Sequence, residues 1–575
     1  MKDLKPYART GSGGWLRDLL ILAVVLGIPF FQYLGALPLI DPDEGRYAEI
    51  PREMLERGDL ITPTLNYVKY FEKPPLLYWI NAASLKVFGQ TEFAARFPSA
   101  LCGLLTVLAT YIIARKLYGR RCALLSAFIL GTSAGFVMQS RIILTDMLLT
   151  FCLTAALGAF IVAALREGRR SKDFPWYLFY FFCALAVLAK GLIGMVFPAG
   201  IVFFYLLLSR RWRLLSEMRL ATGLLLFLAV AAPWFVAVSL RNPEFAHFFF
   251  IREHFERFTS TVHGRYQPFW FFVPVLLGTM LPWVFFVPGA LTRAWRDRHH
   301  DEGRAGIYLL IWVLLIFLFF SKSSSKLIPY ILPIFPPLAM LVGRRLDALA
   351  DGRGREIKGI ALMLGMGLLA LGLAALGYAR LSLVTEFLIS QVPGWTVPLT
   401  QFVRHAPVFS VTASVVLGIL FLFQAVGTLG SAGRNPLRMV VVLCLGSFLL
   451  EIAVPRLIMG EITRAESPRT LAMKVSSLAG PETRIVTYGP MQAVSWYTGR
   501  RVLVTGKIDE LEFGSKQGDQ SPWFPDQQAL LAMWNSDKHV LVLLKKGEFE
   551  LLKQLLNPQA LVKAEAGRRM LISNR

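Results

Sequence analysis

Asp41-Pro-Asp-Glu-Gly-Arg-Tyr-Ala-Glu49 and, further on, Tyr70-Phe-Glu-Lys-Pro-Pro75 lie between Leu39 and Tyr78, just after the first apolar run of the chain. Charges of both signs are concentrated here, in a chain that otherwise reads as almost continuous apolar helix. Polar groups beside a bilayer are costly, so they point to chemistry. The Pro74-Pro75 step breaks the backbone and divides the stretch into two short amphipathic helices, near Arg46 to Arg57 and Leu76 to Phe88. Both are too short to cross a membrane, and their mixed surfaces suit its interface. An ordinary interfacial hairpin would show the same pattern.

The apolar character extends on both sides. Hydrophobic residues are 55% of the chain and charged residues 17%, too apolar a mix for a soluble protein of this length. Apolar runs recur from Leu16 to Val454, and about thirteen are long enough, at about 17 to 25 residues, to cross a hydrocarbon core of about 30 Å as helices. The first run has no small-residue cleavage pattern and reads as a retained span. The formal charge of +23 raises nucleic acid as a partner, but the placement of the charge excludes it. Basic clusters at Lys2 to Arg17, Arg115 to Arg121, Arg166 to Lys172, Arg210 to Arg213, Arg293 to Arg304 and Arg344 to Lys358 occupy every second connection, the pattern of the positive-inside bias. That bias puts the amino terminus in the cytoplasm and, for an odd number of spans, the carboxy terminus outside. The five cysteines lie within or at the ends of apolar helices, which indicates neither a disulfide framework nor a cysteine metal site.

The opening stretch resembles the first external loop of the lipid-linked glycosyltransferases that include bacterial 4-amino-4-deoxy-L-arabinose transferases and protein O-mannosyltransferases. Asp43, Glu44, Arg46, Tyr47 and Glu49 carry the first half of the match and Glu72-Lys73-Pro74-Pro75 the second. Further along, Asp146 stands at the external start of a span, where a carboxylate costs about 2.5 to 3.5 kcal/mol and needs a polar environment or a partner. A dipole-favoured helix start, paired with Arg141, is the bland explanation. Lys190 ends another span externally, where it would snorkel to lipid phosphate; the family also has a basic residue there. The loop from Arg241 to Pro268 contains Ile251-Arg-Glu-His254-Phe-Glu-Arg257, in which His254 and Arg257 would share a helical face. Ser321-Lys-Ser-Ser-Ser-Lys326 leads into Leu327-Ile-Pro-Tyr330, with Ile328 where the family pattern has Pro.

By this resemblance the chain is a polytopic α-helical membrane protein of the GT-C type. Residues 1–456 would form the transmembrane glycosyltransferase domain and residues 457–575 a periplasmic α/β domain. In the latter, Arg484 to Tyr488, Arg501 to Thr505 and His539 to Leu544 read as strands, and Gly547 to Leu556 as a helix. No glycine-rich nucleotide motif is present, and no matched catalytic cluster, which predicts a region that supports the site without supplying a reacting group. The resemblance implies an inverting enzyme of the bacterial inner membrane that transfers 4-amino-4-deoxy-L-arabinose from undecaprenyl phosphate to lipid A, a lipopolysaccharide modification tied to polymyxin resistance. Asp43 and Asp146 would be catalytic. Arg46, Tyr47, Tyr70, Lys73, Lys190, Arg257, Lys326 and Tyr330 would bind substrate. Glu72 and His254 would hold a divalent metal ion such as zinc, with no nucleotide cofactor. The partners would be the undecaprenyl phosphate-linked sugar, lipid A and membrane lipids, and no nucleic acid. A polyprenyl-phosphate-hexose-dependent protein or lipid glycosyltransferase and a lipid-sugar transporter are the alternatives; transporters place polar groups near the midplane, whereas these lie near one face.

Overall fold

Proline and glycine punctuate the first loop as its sequence demands. Helix α2 (Asp43–Arg57) starts after Pro42 with Asp43 and Glu44 in its first turn, where the helix dipole favours carboxylates, and stops at Gly58 in the left-handed conformation. Helix α3 (Leu76–Phe88) begins after Pro75 and ends at Gly89. Between them, β1 (Thr64–Leu65) and β2 (Val68–Lys69) form a small antiparallel pair. The loop follows α1 (Trp15–Phe31) and precedes α4 (Glu92–Tyr118), whose first turn is capped by the Thr91 hydroxyl accepting from the Ala94 amide.

The computed structural model describes residues 14–165, 173–256, 267–300, 303–350, 357–391, 410–431, 436–460, 463, 466–556 and 560–575. Among these, seven helices are long and apolar enough to cross a membrane: Glu92–Tyr118, Thr145–Ala164, Leu220–Arg241, Arg304–Lys322, Gly359–Arg380, Val411–Ser431 and Pro436–Met459. Two bent pairs raise the number to nine. One is α5 (Arg120–Gly131) with α6 (Ala134–Ser140), bent by 64°, and the other is Phe269–Thr279 with Trp283–His299, bent by 114°. Reaching about thirteen requires counting shorter apolar helices such as α8 (Phe174–Lys190) and α9 (Ile193–Ser209), 17 residues each, which need tilt or local thinning to span. The protein is multi-pass. Helix α7 (Thr145–Ala164) is central, with 78% of its apolar window buried, whereas Leu220–Arg241 buries 22% and faces outward.

The C-terminal region forms a five-stranded sheet in the order β4-β3-β5-β7-β6. β3 (Arg484–Tyr488) runs parallel to β4 (Leu503–Thr505) and β5 (Val540–Lys545). β7 (Arg569–Ser573) runs antiparallel to β5 and to β6 (Leu561–Ala566). This sheet region is fastened to the first loop. Asp41 Oδ1 accepts from the Ala493 amide at 2.9 Å, Tyr497 Oη accepts from the Leu39 amide at 2.8 Å, and Asn66 both donates to Val502 O (2.9 Å) and accepts from its amide (3.1 Å). Gly45 permits this approach, because a Cβ there would lie 2.5 Å from Ala493 N and 2.2 Å from Asp41 Oδ1.

Candidate active site

Asp43 and Arg46 are three residues apart on α2, so they share a face. Arg46 Nη2 lies 3.0 Å from Asp43 Oδ1 and 2.8 Å from Glu510 Oε2, and Nη1 donates to Tyr70 Oη at 3.3 Å. The two partners on α2 differ sharply in access: the Arg46 side chain is 4% exposed and that of Asp43 51%. The carboxylate is therefore presented outward with a buried cation behind it. Burial works against the Arg46 charge, but the Glu510 and Asp43 carboxylates, with the Tyr70 hydroxyl as acceptor, offset it and keep the guanidinium protonated. Tyr47 stacks on Tyr78 with centroids 6.2 Å apart. Burial raises the Tyr47 and Tyr70 hydroxyls above the usual tyrosine range, with Glu72 and Glu510 reinforcing the shift, so both phenols stay neutral. Lys73 Nζ donates to Glu72 O at 2.8 Å and lies 3.9 Å from its carboxylate.

A second group forms where α7, α8 and the 3-10 segment Ile328–Ile334 meet. Lys190, at the end of α8, pairs with Asp146 in the first turn of α7, and its Nζ lies 4.8 Å from the centre of the Tyr330 ring. Asp146 thus has Lys190 as its partner. Arg141 instead donates to Pro29 O (2.6 Å) and Gln32 O (2.6 Å), tying α6 to the end of α1. Lys326 is turned to backbone, donating to Gln267 O at 2.7 Å and to Ser323 O. Burial holds its ammonium below the ordinary lysine range.

Behind the first group stands a buried scaffold. Arg96, on α4, makes a two-pronged pair with Glu44 at 2.7 and 2.6 Å and also donates to Leu34 O (3.0 Å), Leu37 O (2.5 Å) and Pro38 O (2.9 Å). Glu44 Oε2 accepts from the Ile40 amide at 3.0 Å. One arginine therefore closes the loop start onto α2. One turn beyond Glu49, Glu53 accepts from the Thr64 hydroxyl (2.6 Å) and the Tyr67 amide (3.0 Å). Burial, with the Glu49 charge added, pushes the Glu53 carboxyl up to about 8.

Sequence patterns singled out Asp43, Arg46, Tyr47, Tyr70, Glu72 and Lys73, which the structure gathers around α2. Asp146, Lys190 and Tyr330 are gathered in the second group. Glu510 was missed, as was the Arg96–Glu44 pair; Glu510 is the contact by which the C-terminal region holds Arg46. The His254 side chain and the whole of Arg257 lie outside the described residues. Among the described residues no three His, Cys, Asp or Glu side chains form a metal-ion set.

Residues 19–249 match the family model of dolichyl-phosphate-mannose-protein mannosyltransferases, and residues 471–574 match that of the aminoarabinose transferase C-terminal domain. Over 343 residues the chain is 38% identical to the undecaprenyl phosphate-alpha-4-amino-4-deoxy-L-arabinose arabinosyl transferase of Aeromonas hydrophila, an alignment covering 58% of this chain and 62% of that one. Over 560 residues it is 29% identical to arabinosyl transferase 1 of Proteus mirabilis, covering 95% and 96%. The crystal structure of ArnT from Cupriavidus metallidurans bound to undecaprenyl phosphate, 28% identical, superposes with a TM-score of 0.79 over 98% of this chain and 99% of that one. Fold and site together define a polytopic membrane protein of the GT-C type. Over residues 19–249 and 471–574 the chain is similar to the lipid-linked glycosyltransferases that include the protein O-mannosyltransferases and the aminoarabinose transferases.

Proposed function

We propose that this protein transfers 4-amino-4-deoxy-L-arabinose from undecaprenyl phosphate to a phosphate of lipid A, at the periplasmic face of the bacterial inner membrane. The amino terminus is cytoplasmic and the sheet region periplasmic. The observation that carries this reading is the outward-facing Asp43 carboxylate backed by the buried Arg46 guanidinium, on a chain similar along nearly its whole length to a structure bound to undecaprenyl phosphate.

The bond from the sugar C1 to the donor phosphate oxygen breaks, and its electron pair leaves on undecaprenyl phosphate. A lipid A phosphate oxygen bonds C1 from the opposite face, which inverts it. No base is required, because the acceptor is already anionic. Negative charge develops on the departing phosphate, where Arg46, Lys73 and Lys190 lower the barrier. Asp43 orients the sugar and stabilises positive charge at C1. Asp146 holds Lys190 in place, Tyr330 forms the floor under it, Lys326 fixes the Gln267 and Ser323 backbone, and Arg257 adds a cation for the donor phosphate. A divalent ion at Glu72 and His254 would add neutralisation of the phosphate.

Purified protein in lipid nanodiscs, given labelled undecaprenyl phosphate-aminoarabinose and lipid A, is expected to yield labelled lipid A, and none when lipid A is first dephosphorylated. Transfer only from a polyprenyl phosphate-hexose, or only to protein, would overturn the proposal.

A further inference from the structure

A polar cavity of about 510 Å3 lies at the far end of α2 from Asp43. At about 1.5 Å of rise per residue, the two ends of this 15-residue helix stand about 22 Å apart, so Arg57 and Asp59 in the cavity wall lie about a helix length from Asp43. Its walls come from four places: the end of α2 with Arg57 and Asp59, the β1–β2 pair with Lys69, the external end of the span Leu220–Arg241, and the sheet region with Gln517 and Gln520. Among the described residues Val68 is the only aliphatic side chain lining it, with the Tyr67 ring beside it, a wall too polar for a polyprenyl tail. The size suits a saccharide headgroup.

The charges decide the ligand class. Asp59 is shared between two guanidiniums, 3.7 Å from Arg57 and 3.3 Å from Arg241, so one carboxylate serves two cations. Lys69 adds a third cation, paired with Glu244 on the loop that follows Arg241. Three cations against the carboxylates of Asp59 and Glu244 leave the wall with one positive charge in excess, and the two glutamine amides beside them can address sugar hydroxyls. Arg241 is 56% exposed and ends a span that faces outward, so the cavity opens at the level of lipid headgroups.

We propose that this cavity docks the phosphorylated saccharide headgroup of a membrane glycolipid, holding the acceptor by a part remote from the phosphate that reacts. This rests on the acceptor class proposed above. Arg241→Gln and the double variant Gln517→Ala with Gln520→Ala are compared with wild type in two assays. The first measures binding of fluorescent lipid A in nanodiscs, with competition by dephosphorylated lipid A and by inorganic phosphate. The second measures transfer.

Both variants are expected to weaken lipid A binding about tenfold, the scale of one charge-assisted contact, and to raise the KM for lipid A by a similar factor. The KM for the donor and kcat at saturating lipid A should hold. Weak competition by both dephosphorylated lipid A and inorganic phosphate supports a site for a phosphorylated headgroup; full competition by inorganic phosphate overturns it in favour of a simple anion site, and full competition by dephosphorylated lipid A overturns the role of the headgroup phosphate. Wild-type transfer to lipid A with unchanged binding and KM in both variants overturns the docking site and leaves the proposed function standing. Cavity-dependent lipid A binding without any transfer keeps the docking site and overturns the function.

Discussion

Arg46 Nη2 sits 2.8 Å from Glu510 Oε2, so a guanidinium in the first loop is held by a carboxylate from the sheet region. Asp43 approaches the same nitrogen from the exposed side, at 3.0 Å. Without Glu510, Asp43 alone would face the full Arg46 charge and be drawn onto it. Glu510→Gln is therefore expected to lower kcat about tenfold, the worth of a charged hydrogen bond, with little change in the KM for the donor. Glu510→Asp should recover part of the loss. Steady-state kinetics with both variants decide it, and an unchanged kcat in Glu510→Gln would show that the contact is only structural.

Asp43→Asn keeps shape but removes the outward charge. Transfer should fall by about 100-fold or more in a single-turnover assay while donor binding persists. Asp146→Asn acts through Lys190 and should mainly weaken donor binding. Wild-type turnover in Asp43→Asn, with none in Asp146→Asn, would move the reacting carboxylate to Asp146.

Glu44 and Arg96 are 2% and 4% exposed. Removing one partner strands the other charge in the interior, so Glu44→Gln should cost about 3–5 kcal/mol of stability. Thermal unfolding in detergent would report this as a marked drop in Tm.

Glu53 has a different signature. Its carboxyl, at 4.5 when free, is pushed up to about 8 by burial and the neighbouring Glu49, so the folded state holds a proton that the unfolded state releases. Stability is then full below the free value and declines as pH rises toward the folded one. The Tm of the wild type should fall between about pH 5 and about pH 8, and Glu53→Gln should flatten that slope.

Orientation is open to chemical labelling. Glu56→Cys and Lys516→Cys replace side chains that are 50% and 67% exposed, and both should react with an impermeant thiol reagent from outside. Arg210→Cys, at a basic connection, should react only after the membrane is opened. The reverse pattern would place the whole site in the cytoplasm.

Much of the first loop was legible because its punctuation is local. Leu76–Phe88 has the bounds that Pro75 and Gly89 dictate, and α2 begins one turn before Arg46 because Asp43 and Glu44 suit a helix start. β3 was equally plain, as a short β-branched run. The bend between α5 and α6 was not, since Thr132-Ser133 is a small interruption in a long apolar run. β6 was missed because its mostly exposed face shows little apolar alternation; β7 was missed because its apolar core, Met570-Leu-Ile572, is only three residues long. Lys190 and Asp146 each had a separate explanation at the membrane surface, and only helix packing makes them one pair. Glu510 lies in Asp509-Glu-Leu-Glu512, which reads as a solvated acidic run; nothing local connects it with Arg46.

The fastening of Asp41 to Ala493, Leu39 to Tyr497 and Asn66 to Val502 also orders events at the ribosome. The first loop is made early in synthesis, but its latch is translated only after the helices between them. Until then Arg46 lacks its second carboxylate. A nascent or prematurely halted chain therefore holds Arg46 without the Glu510 carboxylate.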